Sequence, residues 1–156
     1  MSIKKVVLQQ YREILNRAGK GADSFRRPNE GWIKTARTAL GMSVQQLAKR
    51  LGVTRAYVYK AENSELAGGL TLKKMAEIAR AMDCQFVYAI VPAIAERTVE
   101  ATLKHHAMKM AREIVEKTHT NMALEAQSLS FDKLKKEYER VADEIMEEST
   151  STIWDR

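Results

Sequence analysis

Residues 43 to 62 read Ser-Val-Gln-Gln-Leu-Ala-Lys-Arg-Leu-Gly-Val-Thr-Arg-Ala-Tyr-Val-Tyr-Lys-Ala-Glu, and this stretch decides the fold of the chain. Ser43 is a residue type that begins helices, and Gln46 three positions later completes the pattern of a capping box. Gly52 stands where the chain must turn sharply, because glycine adopts a positive φ at little cost. Since Thr54 is a second capping residue, the spacing predicts two short helices joined by a tight turn.

The apolar residues of this stretch predict which side of each helix faces the core. Leu47 and Leu51 lie four residues apart on the first helix, and the small Ala48 beside them lets a second helix cross closely. Val58 and Ala61 face inward on the second helix. Together these features predict a helix-turn-helix whose second helix enters the major groove of DNA. Two ordinary antiparallel helices joined by a short turn are the alternative.

The outward-facing residues of this stretch are the candidates for contacting DNA. Arg55 is the best candidate for reading a base, because arginine most often binds guanine O6 and N7 together. Ala56 is small enough to contact a thymine methyl group, and Tyr59 lies one turn further along. Hydroxyl, amide and lysine side chains nearby are candidates for contacting phosphates. The predicted DNA-binding residues are Ser43, Gln45, Thr54, Arg55, Ala56, Tyr57, Tyr59 and Lys60.

Charge is unevenly distributed along the 156 residues, whose net charge is +6. Residues 1–30 carry a net charge of +4 and residues 31–92 carry +5, whereas residues 93–156 carry −3. This distribution fits a DNA-binding part followed by a protein-binding part, although uneven surface charge is also common in other proteins. No apolar run is long enough to span a membrane or to form a signal peptide, so we expect a cytoplasmic protein.

The sequence contains no pattern that predicts catalysis or a bound cofactor. The single cysteine, Cys84, allows neither a disulfide within the chain nor a cysteine metal cluster. Glu116 and His119 have the Glu-x-x-His spacing of a carboxylate di-iron site, but such a site needs this motif twice and two further glutamates. No metalloprotease, nucleophile-elbow or phosphate-binding glycine motif occurs. We therefore expect no metal, no cofactor and no enzymatic activity.

The pattern of apolar residues predicts a mainly α-helical fold in three segments. Residues 1–28 form an N-terminal helix and a basic linker. Residues 29–92 form the helix-turn-helix domain, which includes a loop over residues 63–69. Residues 93–156 form a helical extension that serves dimerisation or partner binding.

One run differs from the helical pattern and predicts a short strand at the end of the central domain. Residues 84–91 read Cys-Gln-Phe-Val-Tyr-Ala-Ile-Val, which is rich in β-branched and aromatic residues. A lone strand leaves its backbone donors and acceptors unpaired. We therefore expect it to pair with the same strand of a second subunit as an intermolecular β-ribbon. The alternative is an extended segment that packs on the helices.

Several short motifs carry a resemblance to a known family: Pro28-Asn-Glu-Gly-Trp-Ile33, Ala39-Leu-Gly-Met-Ser43, Gln46-Leu-Ala-Lys-Arg-Leu-Gly-Val53, Thr71-Leu72, Asp83-Cys84, Val87-Tyr-Ala-Ile-Val-Pro92 and Met122-Ala-Leu-Glu-Ala-Gln127. With these motifs the chain resembles the Xre/Cro/C1 family of helix-turn-helix regulators over about residues 31–83, and more specifically the group called mobile mystery protein A. This group is typically encoded beside a protein with a Fic domain, so the resemblance implies an autoregulatory, antitoxin-like role. In one departure, Val44 stands where Xre proteins commonly carry a phosphate-binding glutamine, and Gln45 is the candidate substitute. In another, the inhibitory Ser/Thr-x-x-x-Glu-Gly/Asn motif of Fic antitoxins is absent from the sequence.

Taken together, the sequence predicts a sequence-specific DNA-binding transcriptional regulator. We expect an autoregulatory repressor that acts as a homodimer through a major-groove recognition helix. The alternative is an antitoxin that neutralises a Fic-domain partner by protein–protein contact, with DNA binding that only tunes its own expression. The predicted partners are double-stranded DNA, a second copy of the chain and, by resemblance, the Fic-domain protein, with no membrane.

Overall fold

A computed structural model describes residues 2–124 and 130–155, without the side chains of His119 and residues 121–124. Within these ranges the chain forms seven α-helices: α1 (Ile3–Lys20), α2 (Trp32–Ala39), α3 (Val44–Leu51), α4 (Arg55–Ala67), α5 (Leu72–Ala81), α6 (Val99–Leu124) and α7 (Phe131–Glu148). Two 3₁₀ helices follow α1 and α7, at Ala22–Phe25 and Thr150–Trp154. None of the described helices combines the length and the apolar character that crossing a bilayer requires.

These elements form two compact units. The central unit, residues 23–89, contains α2 to α5. The terminal unit, residues 1–22 and 90–156, contains α1, α6 and α7. The structure thus groups the N-terminal helix with the C-terminal helices, whereas the sequence pattern placed them in separate segments.

The start and end signals of α3 and α4 act as predicted. The Ser43 hydroxyl accepts a hydrogen bond from the Gln46 backbone N–H, and the Gln46 side chain accepts one from the Ser43 N–H at 2.7 Å, which completes the capping box. Gly52 ends α3 with a left-handed φ of 69°. The Thr54 hydroxyl accepts from the Tyr57 N–H at 3.2 Å and begins α4. The predicted helix-turn-helix geometry is therefore confirmed.

Four helices contribute to the core of the central unit. Of the side chains predicted to face inward on α3 and α4, Leu47, Ala48, Val58 and Ala61 are buried there, and Leu51 is half-buried and packs against them, which confirms the assignment of the inner faces. Helices α2 and α5 add further large apolar side chains to the same cluster. The buried core consists of Ile33, Val44, Leu47, Ala48, Val58, Ala61, Met75, Ile78 and Met82.

The prediction of a strand over residues 84–91 is wrong. No residue in the described ranges forms a β-strand, and residues 84–93 have no regular secondary structure. A strand requires a ladder of hydrogen bonds to a second strand, and the described chain offers none. Cys84 and Phe86 instead pack against the core of the central unit, as in the alternative interpretation. The regular secondary structure of the described residues is all helical, and the expected β-ribbon has no basis in it.

The loop predicted over residues 63–69 is also largely wrong. Helix α4 continues to Ala67 and ends at Gly68, whose φ is 77°. Asn63 and Ser64, which favour turns when considered alone, lie within the helix. The extra turn is stabilised by contacts of Glu65 with α2, which are described below.

In the terminal unit, small residues let α6 and α7 pack closely. Ala107 and Ala111 of α6 and Ala142 of α7 are fully buried in one apolar cluster. Ile153, in the second 3₁₀ helix, is buried in the same cluster. This cluster is the core of the terminal unit.

Helix α1 is joined to the start of α6 by one polar side chain. Asn16 accepts a hydrogen bond from the Val99 N–H at 2.8 Å and donates one to the Glu100 carboxylate at 2.8 Å. The bond from Asn16 holds the pKa of Glu100 below its usual value. Gly19 makes the approach possible, because a Cβ atom there would lie 2.5 Å from the Arg97 carbonyl oxygen.

Candidate nucleic-acid interface

Helix α4 presents charges of only one sign to solvent. Its sequence carries two basic residues, Arg55 and Lys60, and two acidic residues, Glu62 and Glu65. Both basic residues are exposed, whereas both carboxylates are buried. A helix with no formal net charge therefore has a positive outer face, which suits a polyanion such as DNA.

The first buried carboxylate forms an ion pair between α4 and α2. The Arg37 Nε donates to the Glu62 carboxylate at 2.8 Å, and these side chains are only 11% and 8% exposed. The same guanidinium donates to the Met42 carbonyl at 3.1 Å. This pair links α4 to α2, and removal of either partner alone would leave an unpaired buried charge at a high cost in stability.

The second buried carboxylate caps α2 from a distance. Glu65 accepts hydrogen bonds from the N–H groups of Trp32 and Ile33 at 2.6 and 3.0 Å. These are donors of the first turn of α2, which otherwise lack partners. Gly31 precedes them with a φ of 84°, and a Cβ atom at Gly31 would lie 2.8 Å from the carboxylate. Arg27 adds a bond to the Glu65 carbonyl at 3.2 Å, so the end of α4 is fixed to the start of α2.

Sequence reasoning missed these supporting residues, although a signal was present. Val58, Glu62 and Glu65 lie at positions i, i+4 and i+7, which share one side of a helix. Since Val58 faces inward, both glutamates had to face inward too. The signal is weak because acidic residues are almost never buried unless they are paired, and their partners on α2 are distant in the sequence.

The structure places seven of the eight predicted DNA-binding residues in exposed positions. Ser43 and Gln45 lie at the start of α3, and the others lie at or near the start of α4. Tyr57 is the exception, because it is half-buried and packs against the core. The hydroxyls of Ser43 and Thr54 accept capping bonds, which leaves their O–H groups able to donate to a phosphate.

Further basic side chains of the central unit were not among the predicted contacts. Lys49, Lys73 and Lys74 are exposed, and Lys74 lies 5.8 Å from the centre of the Tyr57 ring. A hydrogen bond to Glu77 raises the pKa of Lys74 above its usual value, so Lys74 stays charged at neutral pH. Arg50 pairs with Asp83 at 2.9 Å. The central unit contains eleven Lys and Arg residues and six Asp and Glu residues. Its net charge is therefore +5, and that of the whole chain is +6.

The structure gives no further candidate for a metal site within the residues it describes. No group of three or more His, Cys, Asp or Glu side chains there is arranged to hold an ion. The spacing of Glu116 and His119 noted in the sequence is not tested, because the His119 side chain lies outside the description. Residues 125–127, the end of the 122–127 motif, also lie outside the described residues, so this part of the resemblance is not tested.

Comparison with known families gives one match. Residues 33–88 match the family model described as helix-turn-helix. The matched range lies within the central unit, begins in α2 and contains all eight predicted DNA-binding residues. The similarity indicates a DNA-binding helix-turn-helix domain. No curated protein and no solved structure gives a significant match to the chain.

Proposed function

We propose that this protein is a sequence-specific transcriptional regulator whose helix α4 enters the major groove of double-stranded DNA. The observation that carries this proposal is the distribution of charge on α4. Its two carboxylates are buried in contacts with α2, so Arg55 and Lys60 are the charges that it presents to solvent. The match of residues 33–88 to the helix-turn-helix family supports the same conclusion.

In this proposal the exposed residues of α4 have two roles. Arg55 donates to guanine O6 and N7, while Ala56 and Tyr59 contact neighbouring base edges. Lys60 binds backbone phosphates, together with side chains at the starts of α3 and α4. The rigid attachment of α4 to α2 favours specific recognition, because the side chains reach the bases from a fixed scaffold.

We further propose that the protein acts as a homodimer and represses its own expression in the cytoplasm. One recognition helix reads only a few base pairs, and helix-turn-helix proteins commonly bind two half-sites through two-fold symmetry. Repression follows when the bound protein covers a promoter. We propose a binding protein and not an enzyme.

The decisive experiment measures the specificity that Arg55 provides. The operator is first identified by footprinting on the promoter of the gene itself. Arg55→Ala should then lose about 1–3 kcal/mol on the operator and relax one base position, with a much smaller loss on random DNA. Lys60→Ala should weaken binding to both DNAs about equally and lower the salt dependence.

Lys109→Ala is the matched control, because it removes an exposed positive charge from the terminal unit. It should leave the ratio of operator to random binding unchanged. An equal loss on both DNAs for Arg55→Ala would show that Arg55 does not read a base. Failure of the protein to prefer any DNA sequence would contradict the proposed function itself.

A second candidate function is neutralisation of a Fic-domain protein by direct contact. The observation that favours a protein partner is the apolar surface of α1, where Ile3, Tyr11 and Ile14 are 83%, 61% and 57% exposed. Exposed apolar patches commonly mark interaction sites. Co-expression with the product of the neighbouring gene tests this function. A stable complex that Tyr11→Ser and Ile14→Ser disrupt would support it, and a monodisperse homodimer without that product would contradict it.

A further inference from the structure

The central unit contains an apolar pocket that its own side chains do not fill. The pocket has a volume of about 270 Å³ and is bordered by α2, α5 and the irregular segment after α5. Ala36 and Ala79 contribute only methyl groups to the walls that α2 and α5 provide. No lining residue is charged. A charged group would lose its hydration there without gaining a partner, so the occupant must be uncharged and largely apolar.

A large exposed side chain lies at the rim of this pocket. Phe86 lines the pocket, and the ring of Tyr88 stacks on the ring of Phe86 with centroids 5.8 Å apart. Tyr88 is nevertheless 72% exposed, and its neighbour Val87 is 56% exposed. The same short segment therefore carries both a protruding aromatic side chain and part of a cavity.

We propose that Tyr88 of one copy of the protein inserts into the pocket of a second copy, which returns the same contact. A two-fold symmetric interface requires a single patch that is complementary to itself, and a protrusion beside a cavity meets this requirement. The inference rests on the proposed dimeric function and assigns a surface to the dimer. The contact is made by side chains and involves no pairing of strands.

The size and polarity of the pocket fit a tyrosine ring. An engineered apolar cavity of about 150 Å³ holds benzene, so a pocket of about 270 Å³ accommodates a phenol ring. Buried tyrosine hydroxyls usually find a hydrogen-bond partner, and the lining includes the polar side chains of Ser24 and Gln85. The contact would bury the exposed parts of Phe25 and Trp32 as well.

The small patch implies a weak dimer in solution. Interfaces of limited area belong to transient complexes, so we expect association that depends on protein concentration. Two half-sites on one DNA raise the effective concentration of the second copy, which would favour the dimer on an operator. Two-fold symmetric DNA recognition would then be compatible with a protein that is partly monomeric when free.

The test uses the full-length protein and two kinds of variant. Tyr88→Ala removes the protruding side chain, and Ala79→Leu fills the pocket. Sedimentation equilibrium from about 5 to 500 µM should show that each variant dimerises at least about tenfold more weakly than the wild type. Ala36→Leu is a second filling variant in case Ala79→Leu does not fold, as judged by circular dichroism. Leu72→Ala, which removes an exposed side chain of α5 outside the pocket lining, should dimerise normally.

Mixing the two kinds of variant provides the sharpest result. A homodimer of Tyr88→Ala lacks the inserting side chain, and a homodimer of Ala79→Leu lacks an open pocket, so neither homodimer forms the contact. A mixed dimer keeps one of the two contacts, because Tyr88 of Ala79→Leu can enter the open pocket of Tyr88→Ala. The mixture should therefore associate more tightly than either variant alone. A wild type that stays monomeric over the whole concentration range, variants that dimerise normally, or a mixture no tighter than its components would each overturn the inference. A small molecule that co-purifies with the wild type and not with Ala79→Leu would also overturn it.

This test contains no DNA, so it is independent of the proposed DNA recognition. Variants that dimerise normally, in a protein that still prefers its operator over random DNA, would overturn the dimer contact and leave the proposed DNA recognition standing. A normal dimer that binds no DNA would instead contradict that function and leave the dimer contact standing.

Discussion

The central and terminal units position their helices by different means. In the central unit, Glu62 and Glu65 hold α4 against α2 through buried, directional polar contacts. In the terminal unit, the contact of α6 with α7 is made around three fully buried alanines. Hydrogen bonds and ion pairs specify the rotation of a helix about its axis, whereas small apolar residues mainly determine how close two helices come. The unit that the proposal assigns to DNA recognition is the one that buries charge.

The surfaces of the central and terminal units also differ in charge and polarity. The central unit carries most of the net positive charge of the chain, and its helix α4 presents no exposed carboxylate. The terminal unit is nearly neutral and exposes a row of apolar side chains along α1. The first surface suits DNA, and the second suits a protein partner.

The largest loss of stability should come from breaking the buried ion pair between Arg37 and Glu62. Arg37→Ala leaves Glu62 as an unpaired buried charge, which should lower the free energy of unfolding by about 3–5 kcal/mol. Urea unfolding followed by the fluorescence of Trp32 measures this effect, because Trp32 lies in the central unit. A Trp154→Phe background removes the other tryptophan of the chain.

Lys34→Ala provides the control for that experiment. Lys34 pairs with Glu30 at 2.9 Å, but both side chains are well exposed. Its loss should cost no more than about 1 kcal/mol. Equal costs for Arg37→Ala and Lys34→Ala would contradict the view that α4 is held by buried charge.

The next effect should come from separating α6 and α7. Ala107→Leu forces extra methyl groups into a fully buried position, so it should destabilise the terminal unit by about 1–3 kcal/mol. Unfolding followed through Trp154 in a Trp32→Phe background reports on this unit. Lys104→Leu introduces the same residue at an exposed position of α6 and should have little effect. A similar loss for both would show that close packing of α6 is unimportant.

A smaller effect is expected from the contact between α1 and α6. Asn16→Ala removes the hydrogen bonds to the Val99 N–H and to Glu100, which should cost about 1 kcal/mol. The Trp154 signal in urea measures the loss. Gln10→Ala, at an exposed position of the same helix, should leave the midpoint unchanged. Indistinguishable midpoints for the two variants would exclude a stabilising role for Asn16.

The smallest effect should be the dependence of this contact on pH. Asn16 lowers the pKa of Glu100 in the folded protein, so the ionised carboxylate stabilises the fold above its unfolded pKa of about 4.3. This stabilisation is lost as the pH falls through the lower folded value. The difference in stability between the wild type and Glu100→Gln should therefore shrink between about pH 6 and pH 3. A difference that stays constant over this range would count against the assigned contact.

The sequence allowed the starts of α3 and α4, and the turn between them, to be predicted. The capping box of Ser43, the turn at Gly52 and the inward positions of Val58 and Ala61 all depend on residues within about four positions of one another. Such signals can be recognised from a short stretch of sequence alone. The eight candidate DNA contacts followed from the same periodicity, and their roles stay predictions.

Features that depend on distant residues could not be predicted in this way. Residues 84–91 have the composition of a strand, yet without a partner strand they form an irregular segment on the core. The turn-like Asn63 and Ser64 are helical because Glu65, further along, reaches the start of α2. A sequence pattern relates each residue only to its near neighbours in the chain. The Glu65 carboxylate instead accepts hydrogen bonds from backbone groups more than thirty positions away.

The sequence alone was enough to predict where α3 and α4 begin, how α3 turns into α4 and which side of these two helices is apolar. The folded structure was needed to show that both carboxylates of α4 are buried, that Ala36 and Ala79 leave a pocket open, and that α1 exposes an apolar face to water. Caps and turns are stabilised by bonds within a few residues, so they can be recognised locally. Burial of a charge, an unfilled space or an exposed stripe depends on which distant groups come to lie beside it, and that is known only once the chain has folded.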